Sequence, residues 1–187
     1  MEYPLSQLQR IHPLTLEFIR DLKARIRRIE ARMYNTLLLK GDICRDLFLI
    51  EKGIVGCYDK DGKKRYYSWI FYEGDFVTAV DSFNNQTVSD ETIVALSGCV
   101  LWAITKKDLE ELTEKYPEFS IIRQILTDKY HVQSRVMDAK RKRPPEEFYD
   151  YLLSAYPYLQ RVPTTTLASL MGISRATLYD ILDRKKR

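Results

Sequence analysis

The sequence predicts an α+β chain: an N-terminal antiparallel β-roll of the jelly-roll kind, a long helix, and an all-α helix-turn-helix unit at the C-terminal end. Three observations carry this. Between Met33 and Thr105 short apolar runs are broken by turn chemistry, and six of the seven glycines fall inside that stretch. On either side of it apolar residues recur every three or four positions, the period of an amphipathic helix. The basic charge is concentrated at one end: residues 140–187 hold ten Lys or Arg against five Asp or Glu, and the rest hold twenty against twenty-one.

The first thirty-odd residues read as helix, with Leu14, Phe18, Leu22, Ile26 and Ile29 forming an apolar face among many Arg and Lys. Strands follow at Asn35–Leu39, Leu47–Ile50, Ile54–Tyr58, Tyr66–Tyr72, Phe76–Val80, Thr92–Leu96 and Val100–Ile104. Asp59-Lys60-Asp61-Gly62-Lys63 between two of them is a hairpin turn in which Asp-Gly supplies the positive φ. Many short strands at this spacing argue for a closed or double-sheet architecture. The aromatic run Tyr66, Tyr67, Trp69, Phe71 and Tyr72 alternates poorly, and covers the core or lines a ligand cavity.

Lys106–Tyr116 reads as a short helix and Phe119 to about Lys142 as a longer one. In the latter, Ile122, Ile125, Val132, Val136 and Ala139 keep a seam-like rhythm that packs on the chain's own β-domain or pairs with a second copy. Lys140-Arg141-Lys142-Arg143-Pro144-Pro145 ends that helix, since proline lacks the amide and clashes with the preceding turn. A new helix follows with Phe148, Tyr151, Leu152 and Ala155. The expected organisation is therefore residues 1–118 as a β-roll with flanking helices, 119–143 as long helix and hinge, and 144–187 as the helix-turn-helix unit.

Within that unit, Thr164 or Thr165 can cap a first helix carrying Leu167 and Met171, and Ala168 lets a second helix cross closely. Gly172 supplies a left-handed turn, Ser174 caps the second helix, and Leu178, Ile181 and Leu182 face the first. Arg175, Ala176, Tyr179 and Asp180 are left on or near the outer face. This is the pattern of a helix that enters the major groove of double-stranded DNA. There Arg175 could pair with a guanine edge, and Ser174, Thr177 and Tyr179 could reach bases or phosphates. Arg184, Lys185, Lys186 and Arg187 would add phosphate contacts.

Other classes find little support. The start has no basic region followed by an apolar stretch, and the longest apolar run is Cys99–Ile104, so neither secretion nor a membrane span is expected. Cys44, Cys57 and Cys99 match no metal-ligand spacing and read as reduced core residues of a cytoplasmic protein. His12 and His131 read as solvent-facing or structural, and no metal or cofactor is expected. There is no Gly-rich phosphate loop, paired-His metal motif or nucleophile elbow, so the chain does not read as an enzyme. Asp108-Leu109-Glu110-Glu111 and Pro145-Glu146-Glu147 are acidic first turns of helices.

The order of β-roll, long helix and helix-turn-helix resembles the Crp/Fnr family of bacterial transcription regulators over nearly the whole chain. Lys40-Gly41-Asp42, Leu47 to Gly53 and Glu73-Gly74-Asp75-Phe76 look like that family's three glycine turns. Val162-Pro163, Leu167-Ala168 and Gly172-Ile173-Ser174-Arg175 look like its DNA-binding segment. The resemblance implies a cyclic-nucleotide-binding-like roll, a homodimer joined through the long helix, a two-fold symmetric DNA site, and RNA polymerase and a small-molecule effector as open possibilities for partners.

The departures lie at two places. Cyclic-nucleotide-binding members hold the ribose with a Gly-Glu pair and neutralise the phosphate with an Arg followed by a small residue. Here the positions taken to align are Gly74-Asp75 and Ser89-Asp90, so Glu73, Gly74, Asp75, Ser89 and Asp90 form the candidate effector pocket. Ser89 has no charge, and Asp90 with Glu91 would place carboxylates beside a phosphate, so cyclic AMP is not expected to bind in the usual way. In the recognition segment Ala176 and Asp180 replace family residues, which favours the alternative of a same-fold sensor or interaction module that has lost DNA binding.

Overall fold

Among the described residues, eight strands form two antiparallel sheets that face each other across an apolar interior: β1 (Arg27–Ala31), β2 (Thr36–Leu38), β3 (Asp46–Lys52), β4 (Val55–Asp61), β5 (Lys64–Phe71), β6 (Phe76–Val77), β7 (Thr92–Ala95) and β8 (Cys99–Thr105). The computed structural model describes residues 1–185. One sheet has the order β1-β8-β3-β6 and the other β2-β7-β4-β5. Ile50, Val55, Cys57, Ile93, Ala95, Leu101 and Ala103 fill the space between them. All three cysteines are buried and unbridged. The β4–β5 hairpin turns at Gly62, with φ 55°, and the β3–β4 turn needs Gly53, because a Cβ there would meet the Gly98 carbonyl oxygen at 2.6 Å.

Two expectations are corrected. The single N-terminal helix is instead α1 (Glu2–Gln9) and α2 (Leu16–Arg25), and Ile29 belongs to β1, paired with Leu101 of β8. Pro13 cannot continue a helix and disfavours helical backbone at His12, so the chain turns and restarts where the Thr15 hydroxyl accepts from the Phe18 amide at 3.3 Å. After Ile26 the open edge of β8 takes the chain into the sheet, which overrides the helical rhythm. The strand expected at Phe76–Val80 ends at Val77, and α3 (Val80–Asn85) follows with Phe83 buried in the roll.

The remaining elements are helical: α4 (Lys106–Lys115), α5 (Pro117–Arg141), α6 (Pro145–Ala155), a 3-10 turn (Pro157–Arg161), α7 (Thr164–Met171) and α8 (Arg175–Lys185). They do not hang free of the roll. The outer face of the second sheet contributes Tyr58, Tyr67, Ile70, Val94 and Leu96 to a second core shared with Met137, Phe148, Leu152, Leu159, Leu167, Leu178 and Ile181. In β7 this makes every residue buried: Ile93 and Ala95 face the inner core and Val94 the outer one.

β5 is the edge strand of that sheet, and the helical end satisfies its open side. Ser169 Oγ donates to the Arg65 carbonyl (2.5 Å) and accepts from the Tyr67 amide (3.0 Å). Arg141 donates to the Ser68 carbonyl (3.1 Å), and the Tyr158 hydroxyl to that of Ile70 (2.8 Å). A covered edge cannot template pairing with another chain. The poor alternation of the aromatic run has its cause here too. Tyr58 pairs with Tyr67 and Cys57 with Trp69, so Ser68 is an extra, bulged residue. Tyr67, Trp69 and Tyr72 cover the second core and Tyr66 is exposed.

Candidate nucleic-acid interface and effector pocket

α7 starts without a side-chain cap. Thr164 and Thr165 lie inside its first turn, after Pro163, whose carbonyl accepts from the Thr166 and Leu167 amides. The expected capping role of these threonines therefore fails, because the chain is already helical where they stand. Thr165 is exposed, Thr164 half-buried, and the buried Thr166 hydrogen-bonds Tyr67 of β5.

The stop after α7 follows its sequence closely. Gly172 is left-handed (φ 70°), its amide bonds the Ser169 carbonyl, and the Ile173 amide bonds that of Ala168 at 3.0 Å. This pair of bonds closes a helix end on a residue that only glycine adopts at low cost. Ser174 then starts α8: its Oγ accepts from the Thr177 amide (3.0 Å) and shares a hydrogen bond with the Thr177 hydroxyl (2.8 Å). Losing such a cap costs about 1 kcal/mol.

Leu178 and Ile181 anchor α8 in the second core, so the opposite face is turned to solvent. Arg175, Ala176 and Asp180 are exposed there, and Tyr179 is 53% exposed. Ser174, Arg175 and Thr177 fall within the first turn of α8, and Tyr179 within the next. Arg184 and Lys185 are directed elsewhere: Arg184 pairs with Glu146 (3.4 Å) and Lys185 with Asp150 (2.7 Å), both on α6. The Asp150 carboxylate raises the Lys185 ammonium above its ordinary value. Lys186 and Arg187 lie outside the described residues.

The candidate effector residues are not brought together. Gly74 (φ 89°) and Asp75 exchange main-chain hydrogen bonds with Ile50, toward the far end of β3. Ser89 exchanges them with Gly41 and Asp42, ahead of the near end. Glu73 accepts from the Gly53 amide (3.2 Å), and Asp75 from the Tyr72 amide (3.0 Å). Burial raises the Asp75 carboxyl, opposed by the Tyr72 amide, Lys129 and Tyr130. The Tyr130 hydroxyl, on α5, accepts from the Phe76 amide at 2.7 Å.

Around Ser89 the polar groups are already used within the fold. Its hydroxyl donates to the Glu91 carbonyl (2.8 Å), and Ser68 Oγ donates to the Glu91 carboxylate (3.0 Å). Burial raises the Glu91 carboxyl; the Ser68 bond opposes this, and Asp90, Asp81 and Asp59 add to the rise. In the neighbouring α3, Ser82 Oγ accepts from the Cys44 amide (2.8 Å), and just past its end Gln86 donates to the Cys44 carbonyl (3.0 Å). Sequence reasoning missed Ser169 and the role of Glu91. Ser169 looks like any exposed helix serine until β5 is placed beside it, whereas Glu91 was visible as part of the acidic pair with Asp90.

Residues 29–116 match the family model of the cyclic nucleotide-binding domain. The match spans the roll and α4. Over more than nine-tenths of its length the chain is similar in fold to solved structures of regulators. The c-di-GMP-responsive global regulator CLP from Xanthomonas campestris is 16% identical, with 92% of each chain covered and a TM-score of 0.69. A regulator assigned to the Crp/Fnr family from Eubacterium rectale is 14% identical over 92% of this chain and 84% of that one, with a TM-score of 0.70. A CooA variant from Carboxydothermus hydrogenoformans is 15% identical over 94% and 85%, with a TM-score of 0.67. No curated protein is matched by sequence. The α+β expectation and the resemblance to the Crp/Fnr regulators hold at the level of fold, and these neighbours are regulators, not enzymes. Among the described residues no helix is long and apolar enough to cross a membrane.

Proposed function

We propose that the protein is a sequence-specific DNA-binding transcription regulator that works as a homodimer. The observation that carries this reading is α8: it is capped by Ser174, anchored by Leu178 and Ile181, and presents Arg175 outward with no ion-pair partner among the described residues. A helix held by its inner face with a free guanidinium in its first turn suits the major groove, where Arg pairs with the O6 and N7 of guanine. Thr165 at the start of α7 is placed for a phosphate.

Dimerisation is supported by α5, where Ile125, Val132, Val136 and Ala139 are exposed along one seam and Ile121 flanks it. Ile122, expected in that seam, is fully buried in the roll. Ile125, Val132 and Val136 are 39–59% exposed, so covering each stabilises by about 1 kcal/mol, and two such faces have reason to meet. Cyclic AMP does not serve as effector in the phosphate-paired way in this reading. A phosphate near Ser89 would meet Glu91, Asp90 and Asp81, and the Lys40 ammonium on that side is already paired with Asp59 at 2.6 Å.

The deciding experiment is selection from a random duplex library at fixed moderate salt, beside Arg175→Ala, with and without cyclic AMP. A two-fold symmetric motif that is lost in Arg175→Ala and unaffected by cyclic AMP is expected. Asp180 on the exposed face of α8, where phosphates repel it, favours a module without DNA binding, and failure of the wild type to enrich any motif would decide for that alternative.

A further inference from the structure

We propose that the β4–β5 hairpin is a second DNA-contacting element, which holds backbone phosphates beside the groove that α8 enters. It rests on the DNA-binding reading above and adds a part of the β-roll to the interface. The hairpin presents Lys60, Lys63, Lys64 and Arg65, all exposed. Against them stand Asp59 and Asp61, and Asp59 is already held by Lys40 at 2.6 Å. The tip is thus a local excess of positive charge on a roll whose other residues carry more carboxylates than cations.

Two of these cations are ordered in advance. The Lys64 ammonium lies 4.8 Å from the centre of the Tyr66 ring, and the Arg65 guanidinium 5.0 Å from that of Tyr58. Side chains resting on aromatic faces lose less freedom when they bind an anion. All four cations stand exposed on the surface. An exposed row of cations suits an extended polyanion better than a small anion, which needs convergent donors.

The position of the hairpin relative to α8 comes from the edge of β5. Tyr158 and Arg161 meet the Ile70–Tyr72 end of the strand, through the Ile70 carbonyl and the Tyr72 hydroxyl. Ser169 meets the Arg65–Tyr67 end. From the 3-10 turn to α7 the chain therefore advances along β5 toward the hairpin tip. α7 ends at Met171, Gly172 closes the turn that begins at Ser169, and α8 begins three residues later at Arg175. This path puts Lys63 and Lys64, just beyond Arg65, on the side of the roll where α7 gives way to α8, and the Ser169 bridge ties the hairpin strand to α7.

Neutralising a phosphate releases condensed counterions, so each lost contact lowers the slope of log K against log salt by about 0.9. The test is fluorescence anisotropy of a labelled duplex across a salt series. It compares wild type, Lys63→Ala with Lys64→Ala, and a matched control with Lys23→Ala and Lys52→Ala, two exposed cations away from the hairpin. Thermal melts confirm that each variant folds. Because the dimer carries two hairpins, the hairpin variant should lose about 4 from the salt slope and weaken binding to selected and scrambled duplexes alike. Arg175→Ala should instead lose the preference for the selected duplex. A hairpin variant whose slope and affinity match the control would overturn this inference and leave the DNA-binding reading standing. A wild type that binds no duplex at any salt would overturn both.

Discussion

The molecule has two hydrophobic cores on the two faces of one sheet, and they are built differently. Between the sheets, Ile50, Val55, Ile93 and Leu101 are fully buried hydrocarbon with no polar tip. On the outer face, Tyr58, Tyr67, Tyr149, Tyr156 and Tyr158 are prominent, and Tyr72 stacks on Tyr158 with centroids 4.8 Å apart. The first core is closed by strand ladders. The second is closed by side chains of the helical end reaching backbone groups of β5. Aromatic residues with a polar handle suit a contact that is apolar on one side and wet on the other. The contrast teaches that the inner core defines the roll, whereas the outer core sets how α8 is carried on it.

The comparison is broken most forcefully by cavities. Leu101→Ala in the inner core and Leu152→Ala in the outer one remove side chains that are completely buried, and each is expected to cost about 2–5 kcal/mol. They should differ in what opens. Leu101→Ala should lower amide protection throughout the roll, and Leu152→Ala should lower it mainly in α6 to α8. Native-state hydrogen exchange distinguishes these outcomes, and equal loss of protection in the roll from both variants would show one cooperative unit.

The inner core was largely legible in the sequence, the outer only in part. Runs such as Thr92–Leu96 announce strands by composition, and Gly53, Gly62 and Gly172 announce turns by the backbone they permit. Arg175 and Ser174 could be placed because a helix-turn-helix is a local pattern with fixed spacing. What could not be read depends on contacts distant in sequence. Ser169 becomes a bridge only when β5 lies beside α7, 102 residues away. The candidate effector residues failed to converge for a related reason: Gly74-Asp75 and Ser89-Asp90 are close in sequence, but α3 intervenes and delivers them to opposite ends of β3. Ile29 misled because a three-four rhythm cannot show that an open strand edge is waiting for it.

A smaller change sharpens the role of the bridge. Ser169→Ala leaves the Arg65 carbonyl and the Tyr67 amide without their partner, which costs about 1–3 kcal/mol if no water replaces it. The loss should fall on the outer contact alone, so the Tyr67 amide should exchange faster while Leu101, on the far sheet, keeps its protection. Unchanged exchange at Tyr67 would mean that the outer core holds α7 in place without the bridge.

The smallest effect is expected at Asp75, near the point where both cores meet α5. Its carboxyl is raised chiefly by burial, so the folded state holds the proton more tightly than the unfolded chain does. Ionised Asp75 therefore detracts from stability, by an amount absent at pH values below the unfolded pKa and complete above the raised one. Asp21 has the opposite sign. Hydrogen bonds from Lys115 and Tyr116 hold it down at about 2, so its contribution is present above the ordinary carboxylate range and disappears as the pH falls toward that value. Urea unfolding of wild type, Asp75→Asn and Asp21→Asn across the acidic range separates the two. The stability of wild type relative to Asp75→Asn should fall as the pH rises and then level off, whereas relative to Asp21→Asn it should rise. A wild type that gains on Asp75→Asn with rising pH would mean that the Tyr72 amide, Lys129 and Tyr130 outweigh burial, and that the junction of the two cores is wetter than its packing implies.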